Sequence, residues 1–431
     1  MLQPTSQVAR GSIFTPTWAH AALASLAALL LSSCGYDNCQ YCGFVPPGPP
    51  TEVSFGLVAG NFANNGLNSV VATSEILYTA QPYQASLKTY LATGPFTFST
   101  PSLTSDGSDP VWLAGADLNG DGLPDVVSAN FHDGALAVFF NNAQSPGSFS
   151  SPLLLSSPGT SQVVIADMNG DGLPDLISAD FNVSLFIQGP PGVGIAAGGP
   201  SNFNNPIALY PGGANWVAVG DLNNDGMPDV ALTDNTGVKL LFHTGTASAT
   251  TFAAPIAVYT ESPNPDVFGA NIVAIADVNG DGLKDLIITD PGPFGGSAPI
   301  VAVLLQNPAS PGTFLAPVSY PMPTGSLAQS IQVVDVDGDG KPDIVIGGSH
   351  QVSVLLQNAN SPGVFLAAQN YPVLNAFEIA VVDVNGDGKP DIVIGTGATS
   401  SVVNGIYTNT PGVLLQSASS PGTFSAVQNL P

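Results

Sequence analysis

An acidic nine-residue motif recurs six times in this 431-residue chain and limits its possible folds more than any other feature. The copy at Asp335–Asp343 reads DVDGDGKPD, with carboxylates at positions 1, 3, 5 and 9. Alternating side-chain oxygens followed by a backbone carbonyl at position 7 are typical of calcium-binding loops. The apolar β-branched residues 344–346 follow directly. The loop is therefore predicted to lead into a strand, where an EF-hand loop would lead into a helix.

The motif divides the chain into seven units. The other full copies begin at Asp117, Asp167, Asp221, Asp277 and Asp383, and a degraded copy without carboxylates begins at Asn61. Successive copies start 48 to 58 residues apart. Such a period favours one repeat array over residues 51–431, although length alone suggests two or three domains.

Each unit reads as four short β-strands, which we name a to d. Strand a enters the acidic loop, strand b leaves it, and strand c precedes a Ser-Pro-Gly turn that begins at Ser145, Ser310, Ser361 or Ser420. Pro at the second and Gly at the third position of a turn favour type II geometry. A Phe two residues after that Gly is expected to open strand d.

Seven such units predict an all-β fold: a seven-bladed β-propeller of four-stranded antiparallel blades, with calcium loops between strands a and b. An open solenoid is the structural alternative. The array begins near strand a of unit one and ends at strand d of unit seven. We therefore expect the ring to close without an exchanged strand.

The net charge of −25 is concentrated in the loops, which hold 19 of the 31 acidic residues. Six bound Ca²⁺ would bring the charge to −25 + 12 = −13. Without metal, each loop holds like charges close together, so calcium binding and folding are expected to be coupled. The chain has no basic patch, which argues against a nucleic-acid partner.

The first 50 residues have the features of an export and anchoring segment. The apolar run of residues 21–31 is too short to span a bilayer and fits a signal peptide. The following Leu-Ser-Ser-Cys resembles the bacterial lipoprotein signal, which implies a signal peptide over residues 1–33 and lipidation of Cys34. An ordinary signal peptide with an incidental Cys is the alternative. Residues 34–50 are predicted to be a Cys/Pro-rich tether, in which Cys39 and Cys42 are expected to form a short disulfide.

The repeat units resemble FG-GAP/VCBS-type repeats, as in bacterial surface proteins and the integrin α-subunit propeller. The resemblance rests on the motif Asp-x-Asn-Gly-Asp-Gly-x-x-Asp and implies that each full loop binds one structural Ca²⁺, about six in all. The implied ligands are Asp117, Asn119, Asp121, Leu123, Asp125, Asp167, Asn169, Asp171, Leu173, Asp175, Asp221, Asn223, Asp225, Met227, Asp229, Asp277, Asn279, Asp281, Leu283, Asp285, Asp335, Asp337, Asp339, Lys341, Asp343, Asp383, Asn385, Asp387, Lys389 and Asp391, with position 7 contributing its carbonyl. No calcium is expected in unit one.

A ligand site is predicted on the face opposite the loops. Trp112 and Trp216 occupy the same repeat position, five residues before their loops. A second shared position, at the end of strand b, holds Asn130, Asp180, Asp234 and Asp290. Trp faces with hydrogen-bonding carboxylates would suit a ligand platform. The alternative is that the Trp side chains cap the core between blades and the Asp side chains cap turns.

These features favour an exported lipoprotein that binds a protein or a glycan in adhesion. We expect its lipid to anchor it to a bacterial membrane, with the outer membrane favoured, or to the cell surface. No nucleophile, zinc or phosphate-loop motif appears, so we predict no catalytic residue. A polysaccharide-processing enzyme and a purely structural module are the alternatives. A monomer that meets the membrane only through its lipid is expected.

Overall fold

Short antiparallel sheets repeat around a ring of seven blades. The computed structural model describes residues 51–53, 56–77, 84–107, 110–179, 181–189, 202–245, 251–260, 272–291, 299–323, 327–373, 376–395, 401–403, 406–408 and 411–430. They belong to one compact unit, Pro47–Pro431. The predicted signal peptide, Cys34, the tether with Cys39 and Cys42, and Asp180 lie outside the described residues.

The four strands of each blade occur in the predicted order. Strand a is, in blades 1 to 7, Leu57–Gly60, Pro110–Ala116, Gln162–Ala166, Trp216–Gly220, Ile272–Ala276, Ala328–Val334 and Ile379–Val382. Strand b is Ser69–Leu77, Asp125–Asn130, Asp175–Ala179, Asp229–Asp234, Asp285–Asp290, Asp343–Gly348 and Asp391–Ile394. Strand c is Gln84–Tyr90, Ala135–Phe139, Val183–Phe186, Gly237–Leu241, Ile300–Leu304, Gln351–Leu355 and Gly412–Leu414. Strand d is Ser102–Gly107, Leu153–Ser156, Ile207–Tyr210, Ile256–Thr260, Val318–Pro321, Gln369–Pro372 and Gln428–Asn429.

Burial explains why strands b and c read as continuous apolar runs. Every residue of Asp125–Asn130 and Ala135–Phe139 is buried, whereas Leu153–Ser156 in strand d alternates between exposed and half-buried. Strands b and c have a neighbouring blade on each face. A typical contact is made by Val163 in strand a of blade 3, which packs with Leu136 and Val138 of blade 2. Burying one such side chain stabilises the fold by about 1.5–3 kcal/mol.

The ring closes between blades 7 and 1, as predicted, without exchange of a blade strand. Strand a of blade 7 contacts strand a of blade 1. Leu57 and Tyr90 of blade 1 share an apolar cluster with Val393 and Leu430 of blade 7. The side chain of Asn68 also donates a hydrogen bond of 2.9 Å to the carbonyl of Asp383.

An additional hairpin, which the sequence did not predict, also joins blades 7 and 1. The connection between strands b and c of blade 7 contains a hairpin, Ser401–Val403 and Ile406–Thr408. Its second strand pairs in parallel with Thr51–Val53, which pairs in turn with the end of strand b in blade 1. The blade 1 sheet therefore extends into a segment of blade 7.

Two further hairpins lie outside the four-strand pattern. They are Ala92–Gly94 with Thr97–Phe98, and Gln188–Gly189 with Asn202–Phe203. In the described part of the chain no helix is long and apolar enough to cross a membrane.

The Ser-Pro-Gly turns have the predicted geometry. Their glycines Gly147, Gly312, Gly363 and Gly422 have φ between 72° and 91°, as type II turns require. The sequence predicts that the Phe after each turn opens strand d, and this prediction is wrong. In blade 6, for example, Phe365 makes one isolated bridge to Gln357, and strand d begins only at Gln369.

Candidate functional site

Each acidic loop is wound around its first Asp. In blade 2, Asp117 Oδ1 accepts the N–H of Gly120 at 2.7 Å and Oδ2 accepts that of Gly122 at 2.8 Å. Both glycines have positive φ. The loop geometry is thus set by backbone donors that converge on one carboxylate.

The ninth residue of each loop is a buried Asp that ties the loop to the blade. Asp343 Oδ2 accepts the N–H of Val336 at 2.9 Å, and its Oδ1 accepts the N–H of Gln357 at 2.7 Å. Asp125, Asp175, Asp229, Asp285 and Asp391 make the same pair of bonds, and all six are at most 1 % exposed.

Burial disfavours the charged form of these carboxylates when no cation is near. It raises the pKa of Asp343 to about 6, and the negative charges of Asp337 and Asp335 add to the rise. The pKa of each of the other five ninth-position Asp residues is likewise raised to about 6. A nearby cation would relieve both the burial penalty and the repulsion.

The loop of blade 6 brings three carboxylates together. Asp335, Asp337 and Asp343 each place an oxygen within 4.8 Å of the others. These are hard oxygen donors on a glycine-rich loop, which is the chemistry that Ca²⁺ prefers. The residues present therefore fit the ion that the repeat implies.

The degraded loop of blade 1 keeps the shape without the charge. Asn61 Oδ1 accepts the N–H groups of Asn65 and Gly66, at 2.9 and 3.1 Å. Buried Ser69 stands at the ninth position, where its Oγ accepts the N–H of Ala92. Amides and a hydroxyl can hold this loop, but they supply no carboxylate for a cation.

The predicted ligand residues on the opposite face occupy two environments. Trp112 and Trp216 meet edge to face, with ring centroids 4.7 Å apart and planes at 84°. Both are half-buried, and they pack against apolar clusters in blades 2 and 4. Between them in sequence, Gln162 of blade 3 bonds the N–H and carbonyl of Val217 at 2.8 and 3.2 Å.

The polar residues at the ends of strand b are bonded within the protein. Buried Asn130 donates to Asp106, and Asp234 accepts hydrogen bonds from Tyr210, Thr236 and Lys239. Asp290 accepts a bond of 2.9 Å from Tyr259 of the preceding blade. These contacts hold turns and neighbouring blades together.

The sequence interpretation missed an aromatic cluster in the b–c turns of blades 2 and 3. Phe131 and Phe181 have centroids 6.5 Å apart, and His132 lies edge-on to Phe131 at 5.7 Å. Phe181 is 44 % exposed. Strand pairing places these turns at the end of the blades where strand a begins, opposite the acidic loops. In the sequence, only the presence of a Phe in the b–c turns of two neighbouring blades could have indicated this cluster.

The sequence interpretation also missed the contacts of Glu378. Its buried carboxylate accepts the N–H groups of Leu57 and Leu113, and so reaches from blade 7 across blade 1 to blade 2. Gly56 leaves room for this contact, because an added Cβ would lie 3.0 Å from the nitrogen of Leu113. Burial raises the pKa of Glu378 well above its usual value.

Fold and loops together define a β-propeller built from repeats that carry acidic loops. The model of the FG-GAP-like repeat matches residues 61–128, 117–178, 221–288, 277–346 and 335–394, which is more than half of the chain. The chain therefore belongs to the FG-GAP-like repeat family. No curated protein shows significant sequence similarity to it.

Solved structures are similar to this chain at low sequence identity. A lectin from Agrocybe aegerita that specifically recognises non-reducing terminal N-acetylglucosamine aligns with a TM-score of 0.50 and 18% identity, over 74% of this chain and 80% of the lectin. A protein from Lactobacillus plantarum aligns with a TM-score of 0.47 and 13% identity, over 88% of this chain and 96% of that protein.

Proposed function

We propose that this chain is a calcium-stabilised propeller that binds a glycan at the cell surface through the face opposite its acidic loops. The observation that carries the proposal is the separation of two chemistries. The oxygen-rich loops occupy one end of the blades, and the aromatic cluster of half-buried Phe131 with exposed His132 and Phe181 occupies the other.

Calcium would have a structural role in this protein. The first, third, fifth and ninth side chains of each full loop, with the seventh carbonyl, would hold the ion. The ion would neutralise carboxylates whose pKa is raised by burial and mutual repulsion. The buried ninth Asp would carry this stabilisation into the blade, since both of its oxygens accept backbone bonds.

The aromatic cluster supplies a surface suited to a sugar ring. Phe181 lies directly against Gly159, where an added Cβ would be 2.0 Å from the ring. His132 and Asn182, which follow Phe131 and Phe181 in sequence, are exposed and can exchange hydrogen bonds with hydroxyl groups. The net charge, −25 + 12 = −13 with six Ca²⁺ bound, disfavours an anionic glycan, so we expect a neutral one. The lectin that shares this fold also binds a neutral sugar.

The N-terminal segment would determine where the protein is located. Residues 1–33 would be removed and Cys34 lipidated, so that residues 34–50 tether a monomeric propeller to the bacterial membrane. Binding without catalysis is proposed, because each acidic cluster in the described loops would serve as a metal site.

A glycan array probed with residues 43–431 tests this function. In calcium we expect binding to a neutral glycan, at least tenfold weaker in Phe181→Ala. Ile207→Ala is the control, since Ile207 is also exposed but lies on strand d of blade 3. Glycan binding that is equal in both variants would contradict the site. Capture of a protein instead of any glycan would contradict the ligand class, and turnover of a polysaccharide would contradict the binding role.

A further inference from the structure

The second residue after the end of strand c contacts the acidic loop in blades 2 to 7. We call it the junction residue: Asn141, Gln188, His243, Gln306, Gln357 and Gln416. In every case its backbone N–H donates to Oδ1 of the ninth Asp in its own loop, at 2.7 or 2.8 Å. The junction residue is therefore bonded to the carboxylate at the base of the loop.

The side chain of Gln357 extends this contact to the preceding blade. Its Nε2 donates to the carbonyl of Val278, at the second position of the blade 5 loop, and to that of Pro342 in its own loop, both at 2.8 Å. Gln357 is only 4 % exposed. Its amide thus bridges two neighbouring loops where solvent competes little.

The bridge completes a chain of hydrogen bonds between two ninth-position carboxylates. Val278 donates its N–H to Asp285 Oδ2 at 2.9 Å and accepts from Gln357 through its carbonyl. Gln357 in turn donates its N–H to Asp343 Oδ1. Asp285 of blade 5 and Asp343 of blade 6 are therefore connected through two residues.

The side-chain oxygen of Gln357 provides a second link between blades 6 and 5. Gln357 Oε1 accepts the N–H of Gly363 in the Ser-Pro-Gly turn at 3.2 Å. A Cβ added to Gly363 would lie 3.2 Å from Cβ of Asn279, the third residue of the blade 5 loop. The turn that Gln357 holds thus packs directly against a predicted calcium ligand of the preceding blade.

The bridge recurs at some blade boundaries. Gln416 bonds the carbonyl of Val336 between blades 7 and 6, and Gln188 bonds that of Leu118 between blades 3 and 2. At the boundary of blades 4 and 3 the junction residue is His243. It is 3 % exposed, and neither ring nitrogen has a hydrogen-bond partner among the described residues.

We infer that Gln357 and Gln416 couple the calcium loops of blades 5, 6 and 7, so that ordering one loop raises the calcium affinity of its neighbour, whereas His243 separates the loops of blades 3 and 4. The inference rests on the calcium binding proposed above. A loop that is fixed by its ligands fixes the carbonyl that orients the neighbouring Gln. The neighbour then loses less conformational entropy when it binds.

Residues 43–431 are titrated with calcium while the backbone amide NMR signals of Gly282 and Gly340 are recorded. The two signals report calcium binding at blade 5 and at blade 6 separately. Asp339→Asn disables the loop of blade 6 without altering blade 5 directly. With Gln357 present, we expect Asp339→Asn to weaken calcium binding at blade 5 about fivefold. In a Gln357→Leu background the same substitution should leave blade 5 unchanged. Gln369→Leu, in strand d of the same blade, is the matched control.

A gain-of-coupling variant covers the case in which Gln357→Leu fails to fold. His243→Gln should make the Gly172 signal of blade 3 sensitive to Asp225→Asn in blade 4, whereas the protein with its natural His243 shows no such effect. Persistence of the blade 5 response in Gln357→Leu, or no response in His243→Gln, would overturn the coupling while calcium binding stands. If no glycine signal responds to calcium, both the proposed calcium role and the coupling are wrong.

Discussion

Trp112 of blade 2 and Trp216 of blade 4 touch edge to face at 4.7 Å, although blade 3 separates them in the ring. Between them in sequence, Gln162 occupies the same repeat position in blade 3 and bonds the backbone of Val217. The pair therefore joins non-adjacent blades where strands a begin. This favours a core-capping role for the two indoles, and the exposed Phe181 is the better candidate for ligand contact.

Replacement of either Trp by Ala is expected to destabilise the propeller. A Trp in a core contributes about 3–5 kcal/mol, and since both rings are half-buried we expect about 2–3 kcal/mol each. The edge-to-face contact predicts a coupling of about 0.5–1.5 kcal/mol in a double-mutant cycle. Urea unfolding of the two single variants and the double variant measures it, and strict additivity would show that the contact contributes nothing. Glycan binding should survive in both single variants.

Glu378 makes the stability of the ring closure depend on pH. Its folded pKa lies well above the ordinary value of 4.5, because the carboxyl is buried. Above pH 4.5 the folded protein therefore retains a proton that the unfolded chain has lost, and stability falls as pH rises toward the folded pKa. Glu378→Gln should lessen this decline and be the more stable protein at about pH 9.

Urea midpoints of the natural protein and of the Glu378→Gln variant, measured between about pH 5 and pH 9, test this effect. Saturating calcium is expected to keep the loop carboxylates ionised, so that their raised pKa values would not add to the slope. Parallel pH profiles for the two proteins would mean that the carboxyl does not titrate as its burial implies.

Two glycines with similar backbone geometry should differ in their tolerance of a side chain. Gly340 has φ of 84° and open space around it, whereas Gly363 has φ of 73° and neighbours 3.1 Å from an added Cβ. We expect Gly340→Ala to cost about 1 kcal/mol for the left-handed backbone and Gly363→Ala about 2–3 kcal/mol, since Leu305 and Asn279 must also move. Denaturation in EDTA compares them without calcium, and equal losses would argue against the packing of this turn on the neighbouring loop.

The local motifs allowed most of the fold to be predicted. Each acidic loop marks the end of strand a, and each Ser-Pro-Gly marks the turn after strand c, because both need glycine at a fixed positive φ. Strands b and c were recognisable from apolar runs because each is covered on both faces. Ring closure followed from the count and order of the units.

Contacts between blades could not be predicted in the same way. The approach of Trp112 to Trp216, the reach of Glu378 to Leu113 and the bridge from Gln357 to Val278 all depend on the curvature of the ring, which no single repeat encodes. The contact of Asp234 with Tyr210 was missed for the same reason, since Tyr210 comes from the preceding blade. The calcium ligands, by contrast, remain a prediction from the motif.

The central claim is that calcium holds this propeller together, and thermal unfolding of residues 43–431 in millimolar calcium and in EDTA tests it most directly. One site at a hundredfold excess of calcium over its Kd stabilises by about 2.7 kcal/mol, and six sites add to this. We predict that calcium raises the Tm by on the order of 10 °C and that magnesium gives a much smaller rise. A Tm that is the same in calcium and in EDTA would contradict the account.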